Sequence, residues 1–312
     1  MTELTRRRFL AISAALPMVA GLPAAAAPPV TRWQGVAMGA LATLRLAHPD
    51  AEAIAARAWA EIDRLEAIFS LHRPDSALVR LNADGRLDAP PFELLECLGL
   101  CAAVHAASAG AFDPTIQPLW ALYATSHAAG HAPAAAEISR TLHQVGWAGV
   151  TFDQDAVRLA RPGMALSLNG VAQGYVADRV AALLAAEGLH DILIDTGEFR
   201  ALGGRPGGGD WPVALQAGEQ VLPAVVALRD RALASSAPRG TVFDAAGLVG
   251  HILDPRTGLP AATAWQLVSI TAPRAALADA LSTAACLLPR EGITALMAAF
   301  PAAGLANLTE TA

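Results

Sequence analysis

The sequence predicts a single α+β domain. Helical and strand patterns are interspersed along the 312 residues, and neither an internal repeat nor a clear linker divides them. Hydrophobic residues make up 54% of the chain and charged residues 16%, so the chain can bury a large core and does not resemble a disordered protein. We therefore expect mixed sheets packed by helices.

The composition also argues against several functions. The net charge is −6 without a basic patch, which argues against nucleic acid as a partner. Lysine is absent, so catalysis through a lysine Schiff base is excluded. The cysteines Cys97, Cys101 and Cys286 lie in apolar helical surroundings, and we interpret them as buried packing residues rather than as disulfides or metal ligands.

The N-terminus is predicted to be an export signal. The arginines Arg6 and Arg7 precede an apolar run to Leu22, and Ala24–Ala27 supplies small residues suited to cleavage after Ala26. About a dozen apolar residues are too few for a permanent membrane span. We expect a twin-arginine signal peptide over 1–26, a domain over 27–312 and a periplasmic location; an uncleaved anchor is the alternative.

The first half of this domain is predicted to be a strand pair followed by helices. The predicted elements are strands Thr31–Val36 and Ala42–Ala47, helix Asp50–Phe69 with Asp50 as N-cap, a loop Ser70–Asp88 with a short helical piece, helix Pro91–Ser108, the turn Gly110–Thr115 and a mostly helical segment 117–150.

The second half is predicted to be richer in strands. The predicted elements are two strands within Thr151–Leu168, of which the second is Met164–Leu168, helix Tyr175–Glu187, strand Asp191–Asp195, a turn at Thr196–Glu198, strands Val213–Gln216, Ala224–Leu228 and Ala232–Ser235, a hairpin of Val242–Asp244 with Val249–Leu253, and strand Ala264–Thr271.

A glycine turn precedes the helix Tyr175–Glu187. Gly170 and Gly174 stand before the predicted helix N-terminus, where free backbone N–H groups suit a phosphate. Many such turns bind nothing, so an empty turn is the alternative.

The stretch Ala275–Leu288 is predicted to be a buried helix. Alanine and leucine occupy all of its faces, and Pro289 ends it. Its one charged residue is Asp279, and Thr283 lies one turn further along the same face. A buried carboxylate without a partner is costly, and the oxygens of Asp and Thr suit a hard cation such as Mg²⁺. A distant arginine partner or an exposed face are the alternatives.

Short motifs of the chain occur in a characteristic order. They are Met38-Gly39, the Ser70–Asn82 loop, Gly110–Thr115, Gly170–Asp178, His251–Gly258 and Ala278–Ala284. Together they resemble the FAD:protein FMN transferases of the ApbE family, from about Met38 to Leu288. A NosX-like subtype, which serves the nitrous-oxide-reduction apparatus, is one form that this resemblance can take.

The resemblance implies a T-fold-like ApbE-type domain and a Mg²⁺-dependent reaction. FMN would pass from FAD to a Thr or Ser hydroxyl of an acceptor protein with release of AMP, maturing a periplasmic or membrane redox flavoprotein such as an electron-transfer subunit. The implied metal ligands are Asp279, Thr283 and the backbone carbonyl of Gly170. The positions that resemble FAD-contacting ones are Met38, His72, Ala111, Phe112, Asp113, Ser167, Gln173 and Ile252.

His251 is the candidate for activating the acceptor hydroxyl, because histidine is the usual side chain for proton transfer near neutral pH. A strand histidine bonded to a neighbour is the alternative. The chain departs from the family at three places. Gln173 stands where the family often has Lys or Glu, and Ser167 stands where it commonly has Asp. Thr196–Glu198 replaces a more usual Gly-Gly-Asp or Gly-Gly-Asn run.

The flavin transferase is therefore the first hypothesis for function. The second is a periplasmic protein that binds FAD, or splits its pyrophosphate, without modifying an acceptor. The third is an exported scaffold with a vestigial site.

Overall fold

The computed structural model describes residues 30–262 and 265–311. The predicted signal peptide and Ala264 of the last predicted strand lie outside these residues. The helices are α1 Ala51–Phe69, α2 Ala77–Asp84, α3 Phe92–Ala107, α4 Gln117–Ala128, α5 Ala135–Leu142, α6 Ala172–Ala186, α7 Ala275–Ala285 and α8 Arg290–Ala299.

The strands form three sheets within the described residues. They are β1 Thr31–Ala37, β2 Ala40–Leu46, β3 Arg86–Asp88, β4 Val150–Phe152, β5 Ala156–Leu159, β6 Ile192–Asp195, β7 Phe199–Leu202, β8 Trp211–Ala217, β9 Gln220–Leu228, β10 Ala232–Ser236, β11 Trp265–Ala272 and β12 Gly304–Glu310. The expected α+β class with mixed helices and sheets is confirmed.

The central sheet is antiparallel and has the strand order β1-β2-β6-β7-β10-β11-β12. Side chains alternate in direction along its strands, so β6, β7, β10 and β11 each contribute to two cores. On one face, Ile194 and Ala234 join the large core that contains α6 and α7. On the other face, Phe199 and Leu233 pack against the β8–β9 ribbon. Smaller sheets of β3-β5-β4 and β8-β9 complete the described strands.

Helix α7 is buried on nearly all sides, as its sequence predicts. It packs against α6, α3 and strands β10 and β11. The side chains of Ala276, Leu281 and Ala284 are fully buried in the main core. The cysteines Cys97, Cys101 and Cys286 are also buried, as expected. Over the two described ranges, none of the helices combines the length and the hydropathy that crossing a membrane requires.

The structure corrects several predicted elements. Met164–Leu168 is not a strand, because the backbone of Leu166 bonds in both directions to the side-chain amide of Asn82 (2.7 and 2.9 Å). The predicted hairpin over 242–253 is reduced to bridges, with Val242 opposite Gly250. The predicted cap Asp50 does precede α1, but its side chain makes no capping hydrogen bond.

Other elements were not predicted. Helix α2 extends to Asp84 rather than ending near Leu81. Strand β7 follows directly after the turn at Thr196–Glu198, and α8 and β12 lie beyond the last predicted helix. Helix α6 begins at Ala172, three residues earlier than predicted, so Gly174 lies inside its first turn.

Candidate active site

Helices α6 and α7 meet at their N-terminal ends, and this junction positions Asp279. A Cβ atom on Gly174 would lie 2.4 Å from the backbone carbonyl of Ala275, so glycine is required for this close approach. The carboxylate of Asp178 on α6 accepts hydrogen bonds from the N–H groups of Ala275 (2.8 Å) and Ala276 (3.0 Å). These bonds satisfy donors at the start of α7 that the helix itself leaves unpaired.

The reciprocal bond runs from α6 to α7. The N–H of Gly174 donates to Oδ2 of Asp279 across 3.2 Å. The sequence leaves open whether the N–H groups of this turn bind a phosphate or nothing, and in the structure the N–H of Gly174 holds the carboxylate. The glycine turn therefore supports the proposed metal ligand rather than presenting that N–H group to a ligand.

Asp279 lines an open cleft between the seven-stranded sheet and the loops around it. The cleft encloses about 940 Å³, including the solvent at its mouth. Its lining includes ten of the predicted site residues, namely Ala111, Phe112, Asp113, Ser167, Gly170, Gln173, His251, Ile252, Asp279 and Thr283. The predicted ligands and most of the predicted FAD positions thus converge although they are far apart in the chain.

The carboxylate of Asp279 is nearly sealed from solvent, with 3% of the residue exposed. No ion pair within the described residues joins it to an arginine or histidine, so both sequence-based alternatives, a distant arginine and an exposed face, are wrong. Burial raises the pKa of Asp279 to about 7, opposed by the Gly174 hydrogen bond. A bound cation would favour the ionised carboxylate.

Hydroxyl groups lie beside Asp279. A Cβ atom on Gly170 would lie 3.0 Å from Oγ1 of Thr283, so this backbone and this hydroxyl are in close contact. Ser236 Oγ lies 2.6 Å from Ser282 Oγ and 3.4 Å from Thr283 Oγ1. The hydroxyl of Ser282 donates to the carbonyl of Asp279, so the cluster is tied to α7.

Glu198 is a second buried acid in the cleft, and sequence reasoning did not assign it to the site. It is 7% exposed, and its Oε2 accepts a hydrogen bond from the N–H of Ser235 (3.1 Å). Burial and then the charge of Asp279 raise its pKa well above the usual value for glutamate. In the sequence, Glu198 is only an acidic residue in a turn. The inward direction of its side chain depends on strand β7, which the sequence did not predict.

His251 lies half-buried in the wall of the same cleft. Its Nδ1 lies 3.0 Å from the carbonyl oxygen of Thr241 and 3.4 Å from the backbone nitrogen of Thr241, so it can donate or accept there according to its tautomer. Burial lowers the pKa of His251, although backbone carbonyl groups of Thr241 and Pro238 oppose the change. The lowered pKa favours the neutral imidazole, the form that can accept a proton.

Among the predicted FAD positions, Asp113 is bonded within the protein. Its carboxylate accepts hydrogen bonds from Thr115 N (2.8 Å), Thr115 Oγ1 (2.6 Å) and Trp147 N (3.0 Å), so it holds a turn at the cleft wall. His72 lies near Gly39, the residue after Met38, since a Cβ on Gly39 would be 3.7 Å from the His72 ring. Neither Met38 nor His72 is among the residues that line the cleft, and their contact with FAD stays a prediction.

The donor set fits a hard divalent cation. Asp279, Thr283 and Gly170 supply a carboxylate, a hydroxyl and a backbone carbonyl, all of them oxygen donors. The described residues contain no cluster of three or more His, Cys, Asp or Glu side chains placed for a metal. A magnesium ion held partly by water and substrate phosphates does not require such a cluster.

Comparisons with known proteins agree with this geometry. The model of the ApbE family matches residues 38–305. A FAD:protein FMN transferase from Treponema pallidum (strain Nichols) is 33% identical over 265 residues, covering 77% of this chain and 72% of that protein. One from Klebsiella pneumoniae (strain 342) is 28% identical over 289 residues, covering 86% and 81%.

Solved structures with the same fold include two from this family. The apo form of the Pseudomonas stutzeri flavinyl transferase ApbE has a TM-score of 0.74 at 28% identity, covering 86% of this chain and 87% of that one. The ApbE protein from Thermotoga maritima has a TM-score of 0.79 at 24% identity, covering 91% and 97%, and this likeness shows the fold.

Proposed function

The chain belongs to the ApbE family of transferases, and we propose that it is a Mg²⁺-dependent enzyme that moves FMN from FAD to an acceptor protein. The acceptor group is a Thr or Ser hydroxyl, and AMP is the second product. The observation that carries this proposal is the convergence of Asp279, Thr283, Gly170 and His251 on one cleft.

Asp279, Thr283 and the carbonyl of Gly170 would hold the cation. When bound, Mg²⁺ would neutralise negative charge on the pyrophosphate of FAD. The sealed carboxylate of Asp279 fixes this position, because its Gly174 bond and the packing of α7 leave it little freedom. The hydroxyl cluster of Ser236 and Ser282 orients Thr283 beside it.

His251 would accept the proton of the acceptor hydroxyl. The hydroxyl oxygen forms a bond to the phosphorus of the FMN half, and the bond from that phosphorus to the bridging oxygen breaks. AMP leaves with the bridging oxygen. The imidazole is suited to this proton transfer because burial lowers its pKa and so favours the neutral form.

The setting of the reaction is also part of the proposal. The twin-arginine pattern at residues 1–26 supports export of the folded enzyme to the periplasm, where the acceptor would be a redox flavoprotein. A NosX-like role in the nitrous-oxide-reduction apparatus is one specific form of this proposal.

Incubation of the mature chain with FAD, Mg²⁺ and a candidate acceptor tests the activity. Flavin fluorescence that stays with the acceptor band on a denaturing gel, together with AMP release, is expected. Release of AMP and FMN without a labelled acceptor would instead indicate FAD hydrolysis. Absence of FAD binding would contradict both activities.

A further inference from the structure

We propose that Glu198 is a second carboxylate of the cation site, acting together with Asp279 to retain the divalent ion. This inference rests on the proposed function, because the ion in question is the one that FMN transfer would use. Glu198 was not among the site residues that sequence analysis identified.

Glu198 directly precedes strand β7. Its Oε2 accepts a hydrogen bond from the N–H of Ser235 on β10. This bond holds the Glu198 carboxylate beside β10, the strand against which α7 packs. Both acids line the same cleft, and both are more than nine-tenths buried.

Neither carboxylate has a positive partner in the part of the chain that the structure describes. No ion pair among residues 30–262 and 265–311 includes Glu198 or Asp279; the nearby Arg200 and Arg274 pair with Asp178 instead. Each acid receives one backbone N–H, from Ser235 and Gly174 respectively. Two carboxylates can both be ionised in one enclosed space only if a cation compensates their charges.

A structural role alone would not need the charge of Glu198. The hydrogen bond to Ser235 requires one acceptor oxygen, which the amide of glutamine would also supply. A divalent cation, in contrast, is held more tightly by a carboxylate than by an amide. The site also offers a hydroxyl on Thr283 and the neighbouring Gly170 backbone, so the two acids are part of a larger oxygen set.

Binding of Mn²⁺, followed by electron paramagnetic resonance, tests the inference directly. Mn²⁺ is titrated into the mature chain with and without FAD, for the wild type, Glu198→Gln and the exposed control Glu219→Gln. We expect Glu198→Gln to bind Mn²⁺ at least tenfold more weakly, as is typical for lost supporting groups at metal sites. Glu219→Gln should bind like the wild type.

Wild-type affinity for Mn²⁺ in Glu198→Gln would overturn the inference, and so would a wild-type chain that binds no Mn²⁺. Glu198→Asp keeps the charge and should bind Mn²⁺ more tightly than Glu198→Gln. An equal loss of Mn²⁺ affinity in the two variants would also contradict the inference. If Glu198→Gln fails to fold, as judged by circular dichroism, Glu198→Ala takes its place in the same comparison.

The outcome is separable from that of the proposed function. FMN transfer by the wild type in the acceptor assay supports the proposed function whatever the Glu198 variants bind. Normal transfer with unchanged Mn²⁺ affinity in Glu198→Gln would remove this inference alone. Absence of transfer in the wild type would remove the proposed function.

Discussion

The N–H of Gly174 donates to the buried carboxylate of Asp279 across 3.2 Å, joining the first turn of α6 to α7. Asp178 of α6 completes the exchange by accepting from the first N–H groups of α7. Each helix therefore satisfies donors at the start of the other. This reciprocal arrangement holds an acid in an apolar interior and aims it at a cleft.

Replacement of Asp279 by asparagine should change how metal-free stability depends on pH. Aspartate ionises near pH 3.9 in an unfolded chain, but the pKa of Asp279 in the fold is about 7. Between these values the folded state binds the extra proton, so stability falls as pH rises through this window and is level above it. The full loss is on the order of 4 kcal/mol.

Asp279→Asn removes this loss while retaining an oxygen for the N–H of Gly174. Urea unfolding in the presence of EDTA, at about pH 5 and about pH 8, measures the effect. The wild type should lose more stability between these pH values than the variant. Identical pH dependence of the two proteins would mean that this carboxyl has an ordinary pKa.

Gly174→Ala should separate α6 from α7. The added Cβ would meet the Ala275 carbonyl at 2.4 Å and the Ala276 nitrogen at 2.6 Å, and backbone atoms cannot move aside as a side chain can. We expect a loss of about 3 kcal/mol or more in the free energy of unfolding. The matched control is Gly99→Ala in α3, where nothing lies within 4 Å. That exposed change should be neutral or slightly stabilising.

Asp178→Ala should uncap α7. The substitution leaves the N–H groups of Ala275 and Ala276 without their acceptor and breaks the 3.4 Å ion pair with Arg200. We expect a loss of about 2 kcal/mol, measured by urea unfolding, and weaker Mn²⁺ binding because Asp279 sits on the same helix. Asp155→Ala, at an exposed position, is the control and should change neither stability nor Mn²⁺ binding. Unchanged stability of Asp178→Ala would show that the cap is dispensable.

His251→Gln should remove the proton acceptor while leaving FAD in place. We expect transfer to slow by about 10²- to 10⁴-fold, with FAD affinity within about threefold of the wild type. The initial rate of acceptor labelling and equilibrium quenching of FAD fluorescence measure the two quantities. His131→Gln, at an exposed position, is the control. If FAD affinity fell by the same factor as the transfer rate, His251 would be a substrate-binding residue instead.

The sequence was sufficient to predict the α+β class, the helix α7 and the burial of Asp279, because local periodicity determines them. It was not sufficient for Met164–Leu168, whose backbone is bonded by Asn82 from 84 residues away. Glu198 was missed for the same kind of reason. Its direction depends on the pairing of β7 with β10, which is a long-range property of the sheet.

The glycine turn before α6 shows the same limit of prediction from local sequence. From the sequence alone, Gly170 and Gly174 fit either a phosphate-binding turn or an empty turn, and both interpretations are local. In the fold, Gly174 is where two distant helices touch, and its N–H bonds to an acid 105 residues later in the chain. A single-sequence pattern cannot distinguish a glycine needed for a ligand from one needed for helix contact.

The most direct measurement is an anomalous difference map from a crystal soaked with MnCl₂ and FAD. We predict that the strongest Mn²⁺ peak lies at bonding distance, about 2.1 Å, from a carboxylate oxygen of Asp279, with the Thr283 hydroxyl and the Gly170 carbonyl as neighbours. A Mn²⁺ peak elsewhere in the cleft, with Asp279 bonded only to Gly174, would contradict it.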